Sequence, residues 1–374
     1  MILRSIEADR FRNLGGKISW GEGLNVLHGN NGQGKTNWLE ALHLLAHTKS
    51  FRTQRLQEAI RFGEQQAWVR GSVERENVVR DLCVTIQSNS KQISVNGKRE
   101  PISRYCEQLH AVAFTADELD VVRGVPDARR RFLDRGVVSM HPAYAQTLAD
   151  YKRVIKQKNR LLQDAMEGGV RLDQLAETIA PWNQQLVKLS AVIHRERTDY
   201  VGRLNDCLDH NLFNDQISIR YVSSLEGKGD LSDYEGLMTE RLRLRLPAET
   251  GAGTSLIGPH RDDLEIVFGG RDLRAFGSSG QQRSALITLD LAAISVYHSK
   301  HQDYPIFLID DVDAELDGTR IERLLEYLEG RTQTFVTTSK KNHFAPLAAR
   351  LECFEISEGL VTANGRSVSV MGRY

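Results

Sequence analysis

Gly29-Asn30-Asn31-Gly32-Gln33-Gly34-Lys35-Thr36 places three glycines, a lysine and a hydroxyl in the spacing G-x-x-x-x-G-K-[ST]. That pattern suits one chemistry, the cradling of a polyphosphate. The glycines let the backbone curl, so that successive N–H groups point inward and form an anion nest. A helix beginning near Lys35 adds the positive end of its dipole at the same spot. Lys35 would then reach the β- and γ-phosphates of a nucleoside triphosphate, and the Thr36 hydroxyl would hold magnesium. The competing reading is a glycine-rich turn with an accidental lysine. Context favours the phosphate site, because an apolar run at 24–27 precedes the motif and a helical pattern follows it.

Two more segments carry chemistry. Ile306-Phe307-Leu308-Ile309-Asp310-Asp311 is a fully apolar run ending in two carboxylates. Such a run fits a strand buried on both faces in a parallel sheet, with its C-terminal end where open α/β sheets bind ligands. Beside a P-loop this reads as a Walker B motif. Asp310 would help hold magnesium, and Asp311 would polarise an attacking water. Gly277-Ser278-Ser279-Gly280-Gln281-Gln282 precedes a helical stretch. Ser278 there can cap the helix or donate to a phosphate, and Gly280 permits close backbone approach. From the residues alone, an ordinary helix cap is at least as good a reading.

The elements that must position these groups fall into an α/β, helical, α/β outline: 1–115, 116–249 and 250–374. In the first part, strands are expected at 3–8, 17–20, 24–27, 67–74 and 79–86, with a hairpin ending at Asn96-Gly97. Tyr144, Leu148, Tyr151 and Ile155, and then Leu186, Leu189 and Ile193, follow helical spacing. Gly168-Gly169 separates the two stretches. The last part is expected to hold a glycine-bearing loop at 250–254, strands at 264–268, 306–309 and 334–337, and helices at 281–296 and 318–329.

Composition sets the bounds. The 374 residues carry 49 Lys plus Arg against 49 Asp plus Glu, so the net charge is zero. A nucleic-acid surface would therefore have to be local. The four cysteines, Cys83, Cys106, Cys207 and Cys353, are far apart and suggest neither a zinc site nor a disulfide framework. No apolar run approaches the ~18 residues of a membrane span. A soluble, cytoplasmic protein with no membrane partner is expected.

In this order, the P-loop, Ser278-Ser279-Gly280-Gln281, Ile309-Asp310-Asp311 and Ala314-Glu315-Leu316-Asp317 resemble the Walker A, signature, Walker B and D-loop of ABC-type ATPases. Further blocks narrow the resemblance to the RecF family of bacterial DNA replication and repair proteins, relatives of SMC-type ATPase heads. They are Phe11-Arg12-Asn13, Ser50-Phe51-Arg52-Thr53, Arg130-Arg131-Phe132-Leu133-Asp134 and Gly258-Pro259-His260-Arg261-Asp262-Asp263-Leu264. Ala314 stands where many relatives carry serine. Thr338 and Ser339 occupy the region where transporter ATPases place a switch histidine.

The resemblance implies a P-loop ATPase head of two α/β lobes with an inserted compact helical arm. It implies ATP and Mg2+ as ligands, with Arg12 and Asn13 joining residues 29–36 around ATP. It implies slow hydrolysis and an ATP-dependent head-to-tail homodimer. In that dimer Ser278, Ser279, Gly280 and Gln281 act in trans, and the D-loop residues Ala314 and Asp317 lie at the shared surface. It also implies binding to double- and single-stranded DNA at gaps or junctions, RecR and RecO as partners, and a role in loading recombinase. Candidate DNA contacts are Lys152, Arg153, Lys156, Lys158 and Arg160, then Arg241, Arg243 and Arg245, and also Arg129, Arg130 and Arg131. Asp134 could pair with one of the last three at helical spacing. A transporter ATPase subunit and a non-hydrolysing nucleotide-dependent clamp are the alternatives.

Overall fold

The computed structural model describes residues 1–209, 212–213, 216–340, 344, 351–363 and 366–367. The chain divides into two compact units. Met1–Leu119 joins Gly277–Tyr374 and a short piece near 209–215 in the first, and Asp120–Leu208 joins Gln216–Phe276 in the second.

In the first unit, β1 (Ile2–Phe11), β2 (Leu14–Ser19), β4 (Gln66–Arg75), β5 (Val78–Gln87), β6 (Ser90–Val95) and β7 (Lys98–Arg99) form an antiparallel sheet in the order β2-β1-β4-β5-β6-β7. The Asn96-Gly97 turn closes the last hairpin, and both residues adopt positive φ there. β3 (Leu24–His28) and β8 (Ala111–Phe114) enter a different sheet.

In the second unit, β9 (Ile217–Val222), β10 (Asp263–Phe268) and β11 (Arg271–Asp272) form a three-stranded antiparallel sheet. Around it are the helices Pro126–Met140, Tyr144–Gly168, Leu172–Cys207 and Tyr234–Ala252.

The chain then returns to the first unit. β12 (Ile306–Ile309), β13 (Thr334–Thr338), β14 (Leu351–Ser357), β15 (Leu360–Ala363) and β16 (Arg366–Ser367) complete a seven-stranded sheet in the order β16-β15-β14-β3-β13-β12-β8. Its five strands from β14 to β8 pair parallel. β12 therefore has parallel neighbours on both sides, and all four of its residues are buried, as its unbroken apolar run requires. Asn25 interrupts the apolar run of β3, yet it is fully buried. Its side chain accepts from Gly21 N and donates to the carbonyls of Gly21 and Gly23, so no polar group is left unpaired.

The P-loop helix Lys35–His47 lies within the core shared by the two sheets. Trp38, Leu39, Ala41, Leu42, Leu44 and Leu45 belong to one buried cluster with Phe11, Leu14 and Val69 of the antiparallel sheet and Leu27, Leu308 and Phe335 of the parallel one. A helix covered on most sides needs apolar residues on most sides.

Three expectations change. The second unit runs to Phe276 rather than ending at 249, because β10 pairs along its length with β9. Residues 250–252 continue a helix that starts at Tyr234, and only Gly253, in the left-handed region at φ 61°, ends it. The middle of the chain is not purely helical: β9 alternates buried Ile217 and Ile219 with exposed Ser218 and Arg220.

The second unit is organised by buried polar groups. Arg197 makes a two-pronged ion pair with Asp134 and donates to the Pro259 carbonyl. Tyr144 Oη donates to the same Asp134. Arg129 pairs with Asp263, and Arg130 donates to the Asp262 carbonyl. Tyr221 donates to Asp262, which also accepts from Ser224 N at 2.6 Å. Tyr151 Oη and His260 Nδ1 are 2.6 Å apart. Asp134 thus pairs with Arg197 instead of a neighbouring arginine on its own helix, where Arg131 takes Asp127. Lys158 and Glu249 are both fully buried and paired at 2.7 Å, which removes Lys158 from the candidate DNA contacts.

Burial is the main cause that pushes the His194 and His260 pKa values below the ordinary histidine value. Both are therefore held neutral when folded, whereas the unfolded chain gains protons below about pH 6.5. The stability they contribute is full above that pH and is lost as pH falls toward their lowered folded values. Melting followed between pH 7.5 and 5.5 should show the second unit weakening on acidification, with a shallower slope in His194→Gln/His260→Gln. Separately, Arg197→Met strands Asp134 in the interior and should cost about 3–5 kcal/mol of unfolding free energy in denaturant titration.

Candidate nucleotide site

The site lies at the C-terminal ends of β3, β12 and β13, all within the first unit. Beyond β3 the chain turns through Gly29, Gly32 and Gly34, with φ 152°, 80° and 105°. A side chain at Gly29 would collide with the Ile356 carbonyl, and one at Gly34 would come within 2.9 Å of Asn13 Oδ1. The loop is also braced from behind. Gly359 N donates to the Gln33 carbonyl at 2.8 Å, Glu358 N donates to Gln33 Oε1 at 2.7 Å, and Trp38 Nε1 donates to the Gly359 carbonyl at 3.1 Å.

Lys35 is 92% buried, with a relative exposure of 8%. Its Nζ donates to the Gly29 and Asn30 carbonyls at 2.7 and 3.0 Å. Burial lowers its pKa, and Asp311, Asp310 and Asp313 oppose that shift. Thr36 Oγ1 donates to Asp310 Oδ1 at 2.9 Å, and Thr337 Oγ1 donates to the same oxygen at 2.7 Å. Burial raises the Asp310 pKa despite those two hydrogen bonds. Such a buried carboxylate beside a hydroxyl fits a hard divalent cation, which takes oxygen ligands. Asp311 follows in the left-handed region at φ 48°, exposed, with its N–H donating to Thr337 Oγ1 at 2.7 Å.

Arg12 and Asn13, expected around ATP, are tied to the P-loop helix and its loop. Arg12, itself at φ 50°, makes a two-pronged ion pair at 3.0 and 2.8 Å with Glu40, a fully buried carboxylate on the P-loop helix. It also donates to the Glu58 carbonyl. Ser50 Oγ donates to Glu40 at 2.6 Å, and Arg52 bonds Asn37 at 2.6 Å. Asn37 in turn donates to Asn13 Oδ1 at 2.8 Å. The blocks at 11–13 and 50–53, far apart in sequence, thus meet on one helix. Glu40, Asn37 and Arg52 were not among the expected site residues. The available signal was Glu40 itself, a carboxylate between Leu39 and Ala41 on a helix otherwise set for burial.

Ser278 begins the helix Ser279–His301 with a capping box. Its Oγ accepts from Gln281 N at 3.3 Å, and Gln281 Oε1 accepts from Ser278 N at 2.8 Å. Asp317 caps the helix Gly318–Leu328 by accepting from Arg320 N at 3.0 Å. The Arg320 guanidinium donates to the Gly280 carbonyl at 3.2 Å. Arg320, also unforeseen, thereby ties the D-loop residue Asp317 to the signature. Ala314 is exposed on the short helix Val312–Glu315.

In the second unit, Lys152, Lys156 and Arg160 are exposed at i, i+4 and i+8 of one helix. They line a cleft of about 750 Å³ with Tyr151, Asn159 and His260. Arg153 is exposed and pairs with Asp150. Of the other candidates, Arg243 and Arg245 are exposed, whereas Arg129 is buried in its ion pair with Asp263.

A family model described as the RecF/RecN/SMC N-terminal domain matches residues 2–361. A DNA replication and repair protein RecF of Geotalea uraniireducens is 34% identical over 96% of this chain and 100% of its own length. The RecF protein of Shouchella clausii is 32% identical over 96% and 99%. The chain belongs to the RecF family. A solved RecF–ATP structure, described as a recombination mediator protein in the RecFOR pathway, superposes with a TM-score of 0.85 at 29% identity, covering 97% of both chains. The Smc head domain from Pyrococcus furiosus shares the fold, with a TM-score of 0.55 at 16% identity over 97% of this chain and 95% of that one. The Walker, signature and D-loop segments of this RecF-family chain all fall in its first unit.

Arg12→Met should leave the fully buried Glu40 carboxylate without its two-pronged ion partner. Denaturant titration is expected to show a loss of about 3–5 kcal/mol, whereas a loss below about 1 kcal/mol would show that the network carries little.

Proposed function

We propose that this chain is an ATP-dependent DNA-binding protein of recombinational repair and replication, in which ATP assembles a head-to-tail homodimer and slow hydrolysis resets it. The observation that carries the reading is Thr36 and Asp310, 274 positions apart, held 2.9 Å apart next to the Lys35 cradle. Residues 29–34 would wrap the phosphates with backbone N–H groups, and Lys35 would exchange its two loop carbonyls for phosphate oxygens. Thr36 and Asp310 would hold magnesium. The bound ion would neutralise charge on the phosphates. Asp311 would orient and polarise the attacking water.

Ser278 and Gln281 satisfy each other in the capping box, leaving a helix N-terminus with its remaining N–H groups available to an anion. In the proposed dimer that end closes on the phosphates of the partner copy, and Arg320 keeps the partner-facing Gly280 and Asp317 in register. A shared γ-phosphate stabilises the dimer by mass action, and its loss releases it.

For DNA, the exposed stripe of Lys152, Lys156 and Arg160 suits phosphate contacts, with Arg153 beside it. Gapped or junction DNA, with stimulation of turnover by DNA, belongs to this reading. RecO and RecR are the protein partners to test, and loading of recombinase is the proposed outcome.

Particle mass and DNA binding measured without nucleotide, with ADP and with ATP should show a dimer and DNA binding only with ATP. Asp311→Asn should lengthen the dimer lifetime. Ser278→Arg should abolish dimerisation while the monomer still binds ATP, and loss of that binding would argue against action in trans. Lys152→Glu/Lys156→Glu/Arg160→Glu should weaken DNA binding at least tenfold without changing ATP-dependent dimerisation. DNA binding indifferent to ATP would overturn the switch.

A further inference from the structure

The turn that follows β13 is clamped by a carboxylate from the segment between Asp311 and the D-loop. Asp313 Oδ2 accepts from Ser339 N at 2.8 Å, from Lys340 N at 3.1 Å and from the Thr338 hydroxyl. Lys340 N also lies 2.9 Å from Thr338 Oγ1. Successive backbone N–H groups converging on one point make a nest for an anion. Here the anion is a side chain of the same unit.

The clamp has a mate one strand end away. Thr337 Oγ1 accepts from Asp311 N and donates to Asp310 Oδ1, both at 2.7 Å. The ends of β12 and β13 are therefore joined twice in parallel, once through Thr337 and once through Asp313. The two joins bracket Asp311, the residue placed to polarise water. Asp311 holds a left-handed backbone, φ 48°, uncommon for a non-glycine residue though more accessible to aspartate than to most. The helix Val312–Glu315 that carries Asp313 is capped by Asp311, so a clamp on Asp313 fixes the backbone just past the left-handed position. The Asp313 charge also acts on Lys35 from across the site.

We propose that Asp313 is a positioning residue for ATP hydrolysis: by holding turn 338–340 against the segment after Asp310, it fixes the backbone of Asp311 in the orientation that presents its carboxylate to the attacking water. The proposal rests on the ATP-site reading above. The Asp313 Oδ2 contacts are with residues 338–340, so its proposed action is through Asp311 and that turn. Its loss therefore lowers turnover and leaves ATP affinity in place.

The test uses the full chain. For wild type, Asp313→Ala, Asp313→Asn, Thr338→Val and the Asp313→Ala/Thr338→Val double variant, steady-state ATPase rates are measured beside equilibrium binding of a fluorescent ATP analogue and thermal melting. The expected result is a fall in kcat of at least tenfold for Asp313→Ala with ATP affinity within twofold of wild type, and partial rescue in Asp313→Asn, which keeps an acceptor oxygen. Thr338→Val should show a smaller fall, and the double variant should match Asp313→Ala rather than multiply the two effects, because both residues belong to one clamp. An unchanged kcat in Asp313→Ala, or multiplying effects in the double variant, overturns the proposal. Loss of ATP binding by Asp313→Ala together with full activity in Thr338→Val also overturns it, since Asp313 is then needed only to build the site. A wild-type chain that binds ATP without hydrolysing it would instead defeat the underlying ATPase reading.

Discussion

One carboxylate oxygen holds the nucleotide site together. Asp310 Oδ1 accepts from Thr36, at the start of the P-loop helix, and from Thr337, at the end of β13. Both bonds are possible only because β3, β13 and β12 run parallel and end at one level, so that residues from three distant parts of the sequence share one edge. Parallel order itself requires long crossovers. The chain uses the crossover between β8 and β12 to carry the second unit. The folding of the sheet and the assembly of the site are thus the same event.

The packing around the P-loop helix follows from that placement. A helix set between two sheets must be apolar nearly all round, yet it carries Glu40 in its interior-facing surface. That charge is tolerable because Arg12 meets it in two-pronged fashion and Ser50 adds a hydrogen bond. The result is a rigid link between the N-terminal hairpin, the segment after the helix and the phosphate cradle. A comparable arrangement governs the second unit, where Arg197, Asp134, Asp262 and His260 hold the blocks at 130–134 and 258–264 together. Those blocks, which carried the family resemblance, are mostly interior polar structure. The exposed stripe of Lys152, Lys156 and Arg160 lies instead on the helix Tyr144–Gly168, outside both blocks.

Much of this was legible in the sequence, for identifiable reasons. The P-loop and the Ile306–Ile309 strand announce themselves because glycine placement and unbroken burial are local constraints. Partner choice is not local. Nothing in the spacing of Arg130, Arg131 and Asp134 indicates that the carboxylate reaches Arg197, 63 positions on. Lys158 looked like one member of a basic run, and only the approach of Glu249 from another helix shows it to be interior. The extent of the second unit was hidden for the same reason, since the pairing of β10 with β9 joins residues between 41 (Asp263 to Val222) and 51 (Phe268 to Ile217) positions apart across an intervening helix. Ser278 was readable as a cap from its own neighbours, whereas its link through Arg320 to Asp317 needed the fold.

The central claim is that each ATP is enclosed by two copies of the chain. Mixing Lys35→Ala chains with Ser278→Arg chains tests it most directly. Each variant alone lacks one half of every site, but the mixed pair retains one P-loop facing one intact signature. With ATP, mass measurements on differently tagged chains should show mixed dimers where neither variant forms dimers alone. If the mixture stays monomeric with ATP, while wild type dimerises under the same conditions, the shared-site account is contradicted.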